Sequence, residues 1–277
     1  MEKHSRPIAI FDSGLGGLTV VAAIHRRLPA ENLLFLADRA RVPYASLSIP
    51  LIARFAGECF DFLLSHDPKA VVIACNTVSS VSLAELTARS PVPVLGVIEP
   101  TARAAASATR SGTIGVMATK ATVRRRAYDE ALARLKPGVD VVSNPAPLLV
   151  PLVEEGWTDG NIPRQVVEHY LEPIRAAHAD TLVLGCTHYE YFVKTMQIVL
   201  GKDMRIINTP HVTTDELSSL LDQRGIAART DQPGSVTVYS TDITDALERV
   251  VQDLFPNPVY PNQVTILSAQ VPPHPDA

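Results

Sequence analysis

The sequence predicts an α/β protein: two similar, doubly wound lobes with mainly parallel sheets, related by a pseudo-twofold axis, with an active site between them. Three observations predict it. Short apolar runs alternate with stretches of helical periodicity, the alternation starts again in the second half, and a cysteine recurs at the matching strand end of each half.

In chain order, residues 8–11, 33–36, 70–74 and 92–97 are continuous apolar runs of strand length, as expected of strands buried on both faces. Between them, 18–28 and 51–64 space their apolar residues for one helix face. The second half predicts strands at 113–117, 139–142, 181–184 and 205–207, with helices at 122–135 and 166–178. The halves align: Asp12 with Thr119, AVVIACNT (70–77) with TLVLGCTH (181–188), and Pro100 with Pro210, at a nearly constant separation. The division expected is residues 1–98 with 211–277 for the first lobe and 99–210 for the second. From about Asp215 the chain adds helix, strand and helix that pack back on the first lobe. From Pro256 it reads as irregular, and 270–277 as a mobile tail.

Composition excludes several classes of function. A chain of 277 residues that is 46% hydrophobic builds a packed core, and its formal charge of −4 leaves no basic footprint for nucleic acid. Arg124, Arg125 and Arg126 read as one exposed helix turn. No apolar stretch reaches the roughly 18 residues of a membrane span, and residues 1–7 lack the apolar core of a signal peptide. Three widely spaced cysteines make no disulfide framework, so the expectation is a cytoplasmic protein with reduced thiols.

Ligands of open parallel sheets bind at the carboxyl ends of strands, where Cys75 and Cys186 both fall. Two facing lobes would set these thiols on opposite sides of one cleft. Each is followed by polar residues, Asn76-Thr77 and Thr187-His188, and a helix N-terminus after each would favour a thiolate or a bound carboxylate. That arrangement suits racemisation, which removes an α-hydrogen from one face and returns a proton to the other. A thiol of ordinary pKa ~8.5 can be tuned to either role. Cys59, on an apolar helix face, is a core residue.

Other readings stand beside this one. Either cysteine alone could be core packing, Cys75, Cys186 and His188 could begin a metal site lacking a further ligand, and a Cys–His pair could act as a hydrolase. DSGLGG (12–17) fails as a dinucleotide fingerprint, which turns attention to Asp12, either a helix cap or a carboxylate serving the substrate ammonium or Cys75. Glu154 supports the Cys186 side or is a solvated loop carboxylate. PYASLS (43–48) sets Pro43, Tyr44 and Ala45 after the second strand, where backbone amides can hold a carboxylate.

FDSGLGGLTV, ARVPYA, ACNT, GVIEP, KATV, PLVEEG and LGCTHY occur here in the order found in glutamate racemases, and the chain resembles that family, within the aspartate/glutamate racemases, from about residue 8 to 190 and more weakly to about 255. The resemblance implies glutamate as substrate, an interlobe site, and no pyridoxal phosphate, metal or nicotinamide. It implies Cys75 and Cys186 as catalytic thiols, Asp12 assisting the first, and His188 with Glu154 assisting the second. Asp12, Ser13, Tyr44, Ala45, Asn76, Thr77, Thr187 and His188 match substrate-binding positions; Pro43 and Thr119 complete the expected set. It further implies supply of D-glutamate for peptidoglycan, and a homodimer. A racemase of aspartate or another amino acid, a degenerate amino-acid-binding member, and a cysteine-dependent hydrolase or lyase are the competing functions. The pattern departs at Ala45 (PYA for PYG), Val78 (ACNTVS for ACNTAS), Glu190 (GCTHYE for GCTHYP) and Asn208-Thr209 (for Asp-Ser). Ala45 bears on a backbone conformation that glycine allows, and Glu190 adds an anion beside the second thiol.

Overall fold

A computed structural model describes residues 4–230, 232–256 and 264–272. The first lobe runs β1 (Ile8–Asp12), α1 (Leu18–Arg27), β2 (Leu33–Ala37), α2 (Ile49–Leu64), β3 (Ala70–Ile73), α3 (Asn76–Arg89) and β4 (Val94–Gly96). The helix α4 (Ile98–Ala108) leads into β5 (Thr113–Ala118), α5 (Lys120–Arg124), α6 (Ala127–Leu135), β6 (Asp140–Pro145), α7 (Leu149–Glu154), α8 (Asn161–Ala176), β7 (Thr181–Gly185), α9 (Val193–Leu200) and β8 (Arg205–Ile207). The chain continues as α10 (Thr209–Arg224), β9 (Val236–Ser240), α11 (Asp245–Leu254) and β10 (Val264–Ser268).

All strand pairings are parallel, and they form two sheets ordered β10-β9-β2-β1-β3-β4 and β6-β5-β7-β8. The sequence β2-β1-β3-β4 in one sheet and β6-β5-β7-β8 in the other is the same winding used twice. The strand order reverses between β1 and β3, and again between β5 and β7. Loops leaving those neighbouring strands diverge to opposite faces and open a crevice at each sheet's carboxyl edge. β1, β2, β3 and β7 are buried along their whole length, which explains why they are apolar apart from Asp12 at the end of β1 and Thr181 at the start of β7. One buried cluster runs from Leu15 and Leu18 of the first lobe to Leu149, Val153 and Tyr189 of the second, so the lobes share apolar core. The helix α10 packs on both α1 and α4.

Two expectations are corrected. Residues 122–135 are two helices, because Arg126 is left-handed (φ 52°); the arginine cluster spans that break and remains exposed. The stretch from Pro256 is not uniformly irregular: β10 extends the first sheet beyond β9, its β-branched VTILS run having been masked by the surrounding prolines. From residue 273 the expected mobile tail lies outside the described residues. No helix among the described residues is long and apolar enough to cross a membrane.

Candidate active site

Asp12 ends β1, and its carboxylate is held by backbone: the Ser13 amide donates to Oδ1 at 3.0 Å and the Gly17 amide to Oδ2 at 2.5 Å. Asp12 is not the N-cap of α1, which is Gly17; its carboxylate instead bridges the lobes, since Thr187 Oγ1, from the other lobe, donates to the same Oδ2 at 3.0 Å. The glycines of DSGLGG have a steric purpose rather than a phosphate-binding one. A Cβ at Gly17 would lie 2.4 Å from Asp12 Cβ, and one at Gly16 would lie 2.8 Å from the His188 backbone nitrogen.

Cys75 follows β3 as the residue preceding α3, with Ser13 Oγ 3.3 Å from its sulfur. Burial pushes this thiol up to about 12, with the negative Asp12 adding to the rise and hydrogen bonds from Ser13 and Val78 opposing it. Cys186 follows β7 but precedes a 3-10 segment, Thr187–Phe192, and only then α9. The expectation of an α-helix N-terminus directly after each cysteine therefore holds for Cys75 and not for Cys186. Its cause is aromatic anchoring: Tyr189 and Phe192 are fully buried, and the Tyr189 hydroxyl donates to the carbonyls of Ala118 (3.1 Å) and Ala146 (2.7 Å). Burial also holds the Cys186 thiol well above its ordinary range, opposed by the His188 amide and reinforced by Asp12 and by Cys75 itself.

His188 Nδ1 lies 3.9 Å from Cys186 Sγ, and Nε2 lies 2.8 Å from Glu154 Oε1. Glu154, at the end of α7, also takes an ion pair from Arg39 of the first lobe. Burial alone would raise its carboxyl, but His188 and then Arg39 outweigh it and hold it below the ordinary carboxylate value. Asp12 goes the other way: burial raises it, and His188, Thr187 and Cys75 recover only part of the rise.

Asp12, Ser13, Pro43, Tyr44, Ala45, Cys75, Asn76, Thr77, Thr119, Cys186, Thr187 and His188 all line one cavity of about 20 Å³ between the lobes. Glu154 lines a wider cavity of about 480 Å³ at its mouth, and Pro43, Ala45 and Thr119 line both. The inner space holds about one water and is smaller than an amino acid. Thr77 and Thr119 meet hydroxyl to hydroxyl at 3.0 Å across the cleft, and the Tyr128 hydroxyl donates to Asn76 Oδ1 at 2.7 Å. That contact leaves Asn76 Nδ2 buried without a protein acceptor among the described residues. The ring of Tyr44 is core: fully buried, with its hydroxyl donating to Asp38.

The departures from the family pattern find local accommodation. Ala45 is not left-handed, so alanine there carries no backbone strain. Val78 is buried in the core, and Asn208 caps α10 by accepting the His211 amide at 2.9 Å. Glu190 is not a full extra anion at neutral pH, because burial raises its carboxyl to about 7. Cys59 is buried as expected, with Arg41 Nη2 3.4 Å from its sulfur. Arg39 and Tyr128 were not singled out from the sequence. Arg39 had one signal, its place just past the end of β2; Tyr128 had none, because its reach depends on the break at Arg126. No group of three or more His, Cys, Asp or Glu among the described residues is placed to hold a metal ion.

The sequence profile of the Asp/Glu/hydantoin racemase family matches residues 15–217. The glutamate racemase of Syntrophus aciditrophicus is 42% identical over 88% of this chain and 91% of its own. A crystal structure of a glutamate racemase isoform from Bacillus anthracis matches with a TM-score of 0.90 at 34% identity, covering 98% of this chain and all (100%) of that one. The glutamate racemase from Francisella tularensis, crystallised with D-glutamate, matches with a TM-score of 0.88 at 31% identity over 97% and 98% of the two chains.

Proposed function

The chain belongs to the Asp/Glu/hydantoin racemase family and, within it, to the glutamate racemases; from that premise we propose that Cys75 and Cys186 are the opposed acid and base that interconvert L- and D-glutamate. The observation that carries the assignment is their placement. Each follows the strand beside its own sheet's reversal point, on opposite lobes, and both line one cavity.

In one direction a thiolate takes the α-proton, the C–H electron pair delocalises into the α-carboxylate, and the opposite thiol gives its proton to the other face. The enzyme is left with the protonation of its two sulfurs exchanged, and the reverse reaction runs the same path backwards. Raised thiol pKa values give a strongly basic thiolate once it forms, which suits a weakly acidic C–H. The cost is a small thiolate fraction, and each sulfur needs a neighbour that moves its proton. Asp12, itself raised, fills that role beside Cys75; His188, supported by Glu154, fills it beside Cys186.

Substrate contacts follow from the polar groups that line the inner cavity. Asn76 Nδ2 and the first amides of α3, at Asn76 and Thr77, favour one carboxylate. Ser13, Thr119 and Thr187 add hydroxyls, Asp12 offers the ammonium a carboxylate, and the Pro43-Tyr44-Ala45 backbone takes the side-chain carboxylate. The same proposal includes cofactor-independent turnover, a cytoplasmic homodimer, and D-glutamate destined for peptidoglycan. It divides the lobes at 98/99 and 210/211, which the membership of β9 and β10 in the first sheet supports.

The test is polarimetry of purified protein with L-glutamate and with D-glutamate, no cofactor added. Rotation decaying to zero from both sides is expected. Decay with aspartate and not with glutamate would overturn the substrate, and a product that is not the enantiomer would overturn the reaction.

A further inference from the structure

We propose that Arg39 is a positioning residue for the second thiol: anchored on the first lobe, it fixes the Glu154 carboxylate that orients His188 against Cys186. The inference rests on the two-thiol reading above and adds a residue to it.

Arg39 stands just past β2, and its Nη2 donates to Thr244 Oγ1 at 3.3 Å. Thr244 is itself fixed, since its Oγ1 accepts the Leu247 amide at the start of α11. The other guanidinium nitrogen, Nη1, reaches across the cleft to Glu154 Oε2. Glu154 Oε1 accepts from His188 Nε2 at 2.8 Å, and His188 Nδ1 faces Cys186 Sγ at 3.9 Å. An unbroken chain of polar contacts thus runs from the C-terminal part of the first lobe to the sulfur on the second. The Arg39 and Glu154 side chains are only 10% and 20% exposed, so this pair is poorly screened by water, unlike a surface ion pair.

Glu154 needs such a partner. It is the last residue of the six-residue α7, and among the described residues its carboxylate has only Arg39 and His188 as hydrogen-bond partners. It lines the mouth cavity together with Lys120 and Glu155. Without Arg39 the carboxylate can turn to water and to Lys120, leaving His188 without its acceptor.

The imidazole has two nitrogens and two tasks. A carboxylate at Nε2 keeps the proton of the neutral ring there, and leaves the Nδ1 lone pair facing the thiol as an acceptor. Loss of that acceptor admits the other tautomer and other ring orientations, so proton exchange with Cys186 slows. Because Arg39 belongs to the opposite lobe, the alignment is completed only when the lobes are closed.

The experiment uses glutamate deuterated at Cα, both enantiomers, with wild type, Arg39→Met, Glu154→Gln and the double variant. The two enantiomers are equal in free energy, so kcat/KM must fall equally in both directions, by about tenfold for Arg39→Met. The primary isotope effects should not change equally. The effect grows for the enantiomer that Cys186 deprotonates and shrinks for the other, since only the first substrate has its own hydrogen in flight at the slowed step. Glu154→Gln should skew in the same sense, and the double variant should add little to the larger single loss. Arg39→Lys should restore most of the wild-type symmetry. It carries the test if the methionine variant does not fold, by a smaller skew in the same sense. Isotope effects as symmetric as wild type, or losses that multiply in the double variant, would overturn the role of Arg39. A wild-type protein that leaves glutamate untouched would instead remove the two-thiol reading.

Discussion

Replacing Gly16 by alanine places one methyl group in the seam between the lobes, and the structure sets its consequence. The new Cβ would lie 2.5 Å from Thr187 Oγ1, 2.7 Å from His188 Nδ1 and 2.8 Å from the His188 backbone nitrogen, against an ordinary contact that begins at 3.4 Å. Side chains can rotate away; the backbone nitrogen cannot, so the seam must widen by about 0.6 Å there, a hard repulsion with no flexible end to absorb it. Overpacking of this kind costs ~1–3 kcal/mol. If ~2 kcal/mol falls on the closed arrangement that turns over substrate, kcat/KM drops about 30-fold in both directions. The assay is racemisation from each enantiomer, with a thermal melt alongside. The control is Gly57→Ala in α2, whose Cβ meets nothing nearer than Arg89 Nη2 at 3.5 Å. Alanine there favours the helix by ~0.5–1 kcal/mol and leaves turnover alone. Wild-type kcat/KM and melting midpoint in Gly16→Ala would refute the close approach of the lobes.

Three further outcomes follow from the same geometry. Cys75→Ser and Cys186→Ser should each lower racemisation by several powers of ten, each power being ~1.4 kcal/mol of barrier; Cys59→Ser should keep ordinary turnover, and the reverse pattern would reassign the thiols. Burial and Asp12 hold Cys75 at about 12, so most molecules carry that thiol protonated near neutrality. Because Asp12 or His188 takes the thiol proton within the site, the reactive form holds as many protons as the resting one, and kcat/KM should show no tenfold rise per pH unit between about pH 6.5 and 8.5; such a rise would mean the proton leaves to solvent and would contradict those two roles. Asn208→Ala removes the cap on α10 and should cost ~1 kcal/mol, or ~2–4 °C in melting midpoint, while Asn208→Asp should not.

Most of the fold was legible because its central strands are buried on both faces, so their sequences are apolar apart from Asp12 and Thr181 at two strand ends. The duplicated winding was legible in two cysteine-ended strands that each carry a polar continuation, and these are also the residues that line the inner cavity. Local pattern failed where a single backbone angle or a distant partner decided the outcome. Nothing in Arg124-Arg125-Arg126 announces the left-handed Arg126, yet that break starts α6, from which Tyr128 reaches Asn76. The 3-10 path after Cys186 is set by carbonyls at the ends of β5 and β6 that anchor Tyr189, which the THYEYF segment cannot reveal by itself. Arg39 was missed for the same reason: its partner Glu154 lies on the other lobe. Glu190 was noticed as a departure but read as a charge, when its burial is what decides its state.

The two-thiol account is tested most directly by running the reaction in deuterium oxide from each enantiomer and reading Cα by proton NMR at low conversion. Two opposed bases predict that product carries deuterium at Cα from the first turnover while the remaining substrate keeps its protium, from both starting enantiomers. Product that retains the substrate's own protium, or substrate that gains deuterium before it inverts, would mean that one base serves both faces and would contradict the account.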